Sequence, residues 1–551
     1  METKRWVLAI VLSFLIIFLY QLLFLKKAPQ PQTLPGEGGK IGPVPGTTVT
    51  EKKPAEAPAP SPGHKPGVPA RNIAAISAES EEHITVGTSL YQAVWSNRGG
   101  VLESWKLKRH KNEKKEDLDL VSAASSEAGV FPFSLMDEDR DPEKTGLEGM
   151  RSSLYNASLY KASPSALELK DGEKGELSFF YSDGKELEVE KKLTFYGGRY
   201  DFDVAVRITK GGQSIEPRLV WGPGIGNPSL EEQKQRFGPG GGVTVLASGN
   251  LYRIDEIKYK PEQSAFNFVT WAGYDDNYFA ALFIEPPGGG TAAYLRESVE
   301  NKRPYFYLAV TKPSRAFIGP KDFDHLTELG FEAKKIVRFG FFGFIAEILL
   351  WSIKFIHKFV PNWGFAIIVL TLIIKVLFFP LTYSSTKSMA KMAEIQPKIK
   401  ALRAKYKKAK TDIAQRREMN EAMMRLYKEH GINPAGGCLP MLIQIPVFWG
   451  FFRLLVVAIE FRRSPWILWI RDLSVKDPYY VTPLLMGVTQ FISQKMTPTA
   501  ADPSQARMML IMPVVMTLFF MNFQSGLVLY WLTSNVLQIG QQYIMNKLMK
   551  K

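Results

Sequence analysis

A chain of 551 residues with a single cysteine, Cys438, is not a disulfide scaffold. That cysteine and six scattered histidines do not supply a zinc site of ordinary ligand spacing. Phosphate-cradling Gly-rich loops are missing too: Gly240 to Gly242 runs directly into Val-Thr-Val and reads as a strand turn. From Ala28 to about Ala70 there is almost no large apolar residue, only a background of Pro, Gly, Ala and Lys. Residues 28–72 therefore bury too little surface to fold and read as an extended linker. Acidic residues are absent from five long apolar segments after residue 361, which leaves a proton relay or a carboxylate cation site without a ligand. No repeat with corresponding broken helices supports alternating access.

What is present is segregated. The mean hydropathy of −0.09 is that of a soluble protein, but the first 25 residues and the last 200 are far more apolar than the middle. Trp6 to Leu25 carries no charge and is long enough to cross a bilayer at about 1.5 Å per residue. Lys26-Lys27-Ala28-Pro29 follows where a cleaved signal peptide would place a small-x-small site, so residues 1–27 are expected to be an uncleaved signal anchor. Residues 73–335 alternate with period two, as in Tyr200, Phe202, Val204, Val206 and Ile208, and Asp183-Gly184 separates two alternating runs as a hairpin turn does. A large β-sandwich domain is expected there. The stretch 340–360 mixes aromatics with Glu347, Lys354, His357 and Lys358, which suits an amphipathic helix in the membrane interface; a helix packed on the β-domain is the alternative.

Residues 361–551 hold the five further spanning candidates: Asn362 to about Tyr383, Leu439 to Val457, Val481 to Met496, Met508 to Phe523 and Leu527 to Ile544. With the anchor this makes six transmembrane helices. The loop 384–430 carries 13 Lys/Arg against five acids, an excess of eight out of a net charge of +15 for the whole chain. The positive-inside rule places this loop and both termini in the cytoplasm and the β-domain outside, in the periplasm of a two-membrane cell. The basic balance thus reads as membrane topology rather than nucleic-acid recognition. Within the loop, Met392, Ile395, Ile399, Leu402 and Tyr406, and then Met419, Met423 and Leu426, recur at three and four, predicting a helical hairpin. Thr411-Asp412 and Gly431 would bound its second helix, and Pro397 would bend its first.

Inside the spans, Lys375 stands out. An ammonium at the centre of a spanning helix costs roughly 2.5–3.5 kcal/mol on insertion scales, and faces a bundle interior or a wet cavity unless it snorkels. Thr371 shares its face one turn earlier. Trp531, Asn535, Gln538 and Gln542 form one stripe, Gln444 lies in the third span, and Thr489, Gln490 and Ser493 lie in the fourth. Such residues serve as interhelical glue singly, but several helices bearing them beside one cation point to a shared hydrated groove. Arg453 is expected to pair with Glu460 or to snorkel outward. Ser384 or Ser388 near Lys375 or Lys387 has no accompanying oxyanion signature, so no enzyme activity and no cofactor is expected. Methionines Met508, Met509, Met512, Met516 and Met521 suit a surface that accepts varied apolar segments, or simply fill a core.

The segments NWGFAIIVLTLIIKVLFFPLT (Asn362 to Thr382), KSMAKMAEIQPKIK (Lys387 to Lys400), NPAGGCLPMLIQIPVFWGFF (Asn433 to Phe452), DPYYVTPLLMGVTQFISQKM (Asp477 to Met496) and SGLVLYWLTSN (Ser525 to Asn535) resemble, in order, the YidC/Oxa/Alb superfamily of membrane protein insertases. The resemblance covers about the last 210 residues. It implies a polytopic α-helical membrane protein whose five-helix insertase core encloses a hydrophilic groove, with a periplasmic β-supersandwich of the Gram-negative type and a cytoplasmic helical hairpin. The family's intramembrane positive residue, usually arginine, falls on Lys375, which keeps the charge but not the planar fork of donors. Candidate groove residues are Lys375, Thr371, Tyr530, Trp531, Asn535, Gln538 and Gln444; candidate hairpin contacts are Met389, Met392, Lys398, Met423 and Met424. Implied partners are nascent membrane proteins, the Sec translocon (SecYEG, SecDF), the ribosome, the signal-recognition targeting machinery and the phospholipid bilayer of the inner membrane. The rivals from other classes are a membrane-anchored periplasmic carbohydrate- or polymer-binding protein and a solute transporter.

Overall fold

The computed structural model describes residues 74–136, 147–226, 242–254, 265–285, 291–300, 303–406, 412–432, 439–497 and 503–549. The expected anchor 1–27, the linker 28–72, Thr411 and Cys438 lie outside the described residues. The chain divides into two compact units. One runs to Pro320 and includes Leu326–Ile336; the other holds Lys321–His325 and everything from Val337.

The first unit is built from three sheets. One pairs Asp117–Asp119, Val101–Lys111, Tyr91–Ser96, His83–Gly87 and Ala166–Glu168, antiparallel except for the last pair. A long sheet runs Asn250–Ile254, Gly242–Ala247, Val269–Asp275, Phe279–Ile284, Arg315–Pro320, Asp201–Lys210, Leu187–Tyr196, Lys174–Ser182 and Lys161–Ser163, with Gln213–Ile215 paired onto the Asp201–Lys210 strand. The third is Ala265–Asn267, Ala292–Glu300, Arg303–Thr311, Arg218–Trp221 and Leu135–Met136.

The alternation around residue 204 works as expected. Tyr200, Phe202, Val204 and Ile208 are buried and Val206 is half-buried, while Ala205 and Arg207 face out. Aromatic rings join the layers: Trp105 stacks on Phe202 at 5.5 Å, Trp95 meets Phe133 edge-on at 5.0 Å, and Phe133 meets Phe283 at 5.2 Å. Burying each such side chain contributes about 1.5–3 kcal/mol. At the predicted hairpin, Asp183 Oδ1 accepts from the backbone N–H of Lys185, Glu186 and Leu187, and Gly184 takes φ +72°. Lys191 is buried in this core. Lys191 Nζ donates to the carbonyls of Gly99 (2.7 Å), Gly100 (3.2 Å) and Phe133 (2.7 Å), and burial pushes its ammonium down to about 7.

The second unit is helical. Helix α1 is Gly343–His357, α2 Trp363–Leu377, α3 Phe379–Glu394, α4 Gln396–Lys405, α5 Ile413–Glu429, α6 Leu439–Val457, α7 Val481–Met496, α8 Pro503–Phe520 and α9 Ser525–Met549. Helix α9 lies between α2 and α7, α8 packs on α7, and α1 packs on α6 and α2. Among the described residues no single helix is long and apolar enough to cross a membrane by itself; α2 and α3 pass together but are bent by 59°.

That bend corrects the expected continuous span from Asn362 to Tyr383. The helix stops at Phe378 and restarts with Pro380 in the first turn of α3. Proline has no N–H for the next helical bond, and its ring would strike the carbonyl four residues back. The same chemistry acts at Pro397, which stands in the first turn of α4 after a break at Ile395. The expected fifth segment, Met508 to Phe523, is shifted: its helix begins at Pro503 and ends at Phe520.

Candidate functional site

Helix α9 supplies the polar stripe because residues 531, 535, 538 and 542 recur at four, three and four and so share one side of a helix. Its neighbours receive that stripe. Asn535 Nδ2 donates to the Met486 carbonyl (3.2 Å) and Thr489 Oγ1 (3.5 Å) on α7, and Trp531 Nε1 donates to Gln490 Oε1 (3.1 Å). On the α2 side, Lys375 Nζ donates to Gln538 Oε1 at 3.2 Å. The lysine is partly buried, and its ammonium is directed to an amide on a neighbouring helix. Gln444 on α6 bonds the Tyr530 hydroxyl. At the stripe's C-terminal end Gln542 Nε2 donates to Asn546 Oδ1 at 2.8 Å, and Asn546 Nδ2 donates to the Met496 carbonyl at 3.5 Å.

The bundle is closed at the end where α8 turns into α9. Phe451 stacks on Tyr530 at 4.3 Å, Phe448 and Phe520 flank Trp531 at 5.1 and 5.4 Å, and Phe452 packs on Phe523 at 5.6 Å. Polar groups therefore line one part of α9 and aromatic rings seal the other. Thr371 is 1% exposed, and its hydroxyl donates to the Ile367 carbonyl of its own helix at 2.6 Å. Tyr530 is similarly buried. The structure thus brings Lys375 to Gln538 and Gln444 to Tyr530, while Trp531 and Asn535 turn toward α7. Gln490 emerges as the partner of Trp531; its place in a span was visible in the sequence, its pairing was not.

The hairpin candidates divide. Ile395, Ile399 and Ile432 form a small core, with Met392, Met423, Leu426 and Tyr427 packed on it, so Met392 and Met423 serve the hairpin's own seam. Met389 is half-buried, and Met424 on α5 is exposed. Lys398 Nζ lies 3.0 Å from His430 Nε2. Asp412 caps α5 by accepting from the Ala414 N–H, and Gly431 follows its end at φ +61°.

Arg453 does not pair with Glu460. Its guanidinium bonds the backbone carbonyls of Arg338 and, at 3.3 Å, Phe339. Glu460 instead takes Lys354 of α1, at 2.7 Å, and the same ammonium lies 2.9 Å from Asp324 and 3.4 Å from Asp322. Burial opposes the charge on Lys354, but Glu460 and Asp322 outweigh it and hold the ammonium above the usual lysine range. Burial would likewise raise Asp322, yet the His325 hydrogen bond and Lys354 hold its carboxyl well below the usual carboxylate range. Charges spread from Asp322 to Glu460 leave no local pattern that would signal this knot.

Comparison with known proteins also finds two parts, with the boundary inside α1 rather than between residues 320 and 337. Residues 83–352 match the family model described as the YidC periplasmic domain, and residues 355–551 match the 60Kd inner membrane protein model. The membrane protein insertase YidC of Syntrophus aciditrophicus (strain SB) is 37% identical over 99% of this chain and 99% of that protein. The protein of the same name from Geobacter metallireducens is 37% identical over 99% of this chain and 98% of its own length. A solved structure of an active YidC insertase with its first transmembrane domain resolved has 20% identity and a TM-score of 0.37, covering 85% of this chain and 94% of that one. With relatives this similar along their whole length, the chain belongs to the YidC family of membrane protein insertases.

Proposed function

We propose that this chain inserts and helps fold other membrane proteins, using the polar stripe of α9 and the charge of Lys375 as a groove for hydrophilic segments in transit. Its full-length relatives are named membrane protein insertases, and their family models describe an inner-membrane protein with a periplasmic domain. It is not an enzyme. The observation that carries the groove reading is the bond from Lys375 Nζ to Gln538 Oε1. Among the described residues Lys375 is tied to a neutral amide, its charge is uncompensated by any acid on the spans, and so it attracts acidic segments transiently rather than storing an ion pair.

Physically, a polar slot within the bundle lets a short hydrophilic segment leave water without meeting bare hydrocarbon, where each unsatisfied backbone group costs several kcal/mol. The adjoining apolar span of the substrate then partitions into lipid, and burial of about 20 apolar residues drives the step without a nucleotide. The basic hairpin and both termini face the cytoplasm in this reading, where 13 cations of the 384–430 loop are available to anionic lipid, a ribosome or targeting factors. The Sec translocon is a co-worker for larger substrates. A periplasmic binder with a mere anchor does not explain a helical unit matched throughout.

The test is a photo-crosslinker at Trp531 during translation of a small membrane protein, with Val514 on the exposed face of α8 as control. Nascent-chain adducts at 531 support the groove. Adducts at 514 with none at 531 contradict it.

A further inference from the structure

The loop between α6 and α7 is tied by hydrogen bonds at its base and carries exposed apolar residues. Asp477 organises it: Oδ1 accepts from Trp469 Nε1 and the Tyr479 N–H at 3.0 Å, and Oδ2 from the backbone and hydroxyl of Thr482 at 2.8 Å. Ser525 and Gly526, at the start of α9, donate backbone bonds to Val475 and Leu473. Asn362, which caps α2, donates to the carbonyls of Pro465 and Trp466 at 3.3 and 3.2 Å. The stem is so tight against α2 that a Cβ on Gly364 would lie 2.1 Å from the Trp466 ring.

This framework presents what folding would otherwise hide. Leu468 is 78% exposed and held at φ +53°, a left-handed conformation that non-glycine residues rarely adopt. Tyr479 is 67% exposed, Ile467 is exposed beside Leu468, and the Trp469 ring lies 6.3 Å from Tyr479. Arg471 and Lys476 are exposed on either side. At the corner between α1 and α2 His357 stacks on Trp363 at 3.8 Å, and α1 carries exposed apolar residues of its own. Phe344, Ile348, Trp351, Phe355 and Phe359 recur at four, three, four and four along α1 and its end, all exposed. Aromatic and aliphatic side chains flanked by Arg and Lys are the composition of a bilayer interface, where rings sit at headgroup level and cations meet phosphates.

We propose that the 463–480 loop is a second lipid-interface anchor, its tip of Ile467, Leu468, Trp469 and Tyr479 seated at the headgroup–acyl boundary beside α1, with Arg471 and Lys476 on lipid phosphates. The occupant is lipid rather than protein because the loop carries the exposed cations Arg471 and Lys476 beside its apolar tip and stands at the common end of α2 and α9. The anchor holds that end of the bundle at fixed depth, whatever the groove carries.

Cys438 is the chain's one cysteine, so a spin label placed by Leu468→Cys in a Cys438→Ser background reports one site. The full chain is reconstituted in vesicles of phosphatidylethanolamine and phosphatidylglycerol, and collisions with oxygen and with a water-soluble nickel chelate are compared with a label at Lys170→Cys on the β-unit. Oxygen exceeding nickel at 468, with the reverse at 170, supports the anchor. A label at 468 as water-exposed as at 170 overturns it, and so does one shielded from both quenchers, which means protein covers the tip. A label at Tyr479→Cys repeats the reading should the first variant fold poorly. Arg471→Glu with Lys476→Glu is expected to shift the 468 label toward water in these vesicles and not in phosphatidylcholine alone. An equal shift in both, or none, overturns the role of the cations.

Discussion

Replacing Lys354 by methionine keeps the length of the side chain and removes the charge that three carboxylates share. Glu460 is 8% exposed and Lys354 20%, with 2.7 Å between them, so this is a buried pair rather than a surface one. Removing one partner of such a pair costs roughly 3–5 kcal/mol, because a carboxylate is left in low dielectric without compensation. The exposed fifth of Lys354 puts the expected loss at the low end, about 3 kcal/mol. Asp324 is 67% exposed and adds no more than a surface pair, under about 1 kcal/mol. Adding Glu460→Gln to Lys354→Met removes the stranded charge, and the double variant is expected to lose only about 1–2 kcal/mol. The assay is a double-mutant cycle on equilibrium unfolding by SDS titration in mixed micelles. Additive single costs, or a Lys354→Met loss below about 1 kcal/mol, would refute the reasoning. The pH dependence follows from Asp322: its folded pKa lies below the unfolded one, so its contribution is complete above the ordinary carboxylate range and is lost as pH falls below about 4.

Lys191→Met in the β-unit strips three buried carbonyls of their donor. At about 1–3 kcal/mol for each unsatisfied group the unit should become protease-sensitive in the intact chain while the helical unit stays folded; equal resistance would contradict this. Asp477→Ala removes four hydrogen bonds from the 463–480 loop and should raise amide exchange there and at the start of α7, with α5 unchanged as the internal control. Deleting residues 83–320 should leave insertion largely intact, whereas extending the deletion to 335 removes Asp322 and Asp324 from the knot and should impair it. Equal activity of the two deletions would separate the knot from function.

The period-two runs of the β-unit and the bounds of α6 and α7 were legible in the sequence because each rests on local pattern. Burial alternates at 200–208 as the residues do, and Leu439–Val457 and Val481–Met496 coincide with the expected segments. The break at Phe378 was missed although Pro380 was in view, since apolar character alone does not distinguish a straight span from a bent one. Arg453 was expected to pair with Glu460 or to snorkel outward; it bonds backbone carbonyls instead, which carry no sequence signal. Thr371 shares a face with Lys375 as helical spacing requires, yet its hydroxyl is turned back onto its own helix, an outcome set by rotamer and packing rather than by period.

The electrostatic role of Lys375 is tested by insertion of a small, Sec-independent substrate with an acidic translocated segment into liposomes containing only this protein, compared for wild type, Lys375→Arg and Lys375→Glu. Lys375→Arg is expected to retain insertion and Lys375→Glu to abolish it, because reversing the charge beside Gln538 repels the segment it should attract. Full insertion by Lys375→Glu would contradict it.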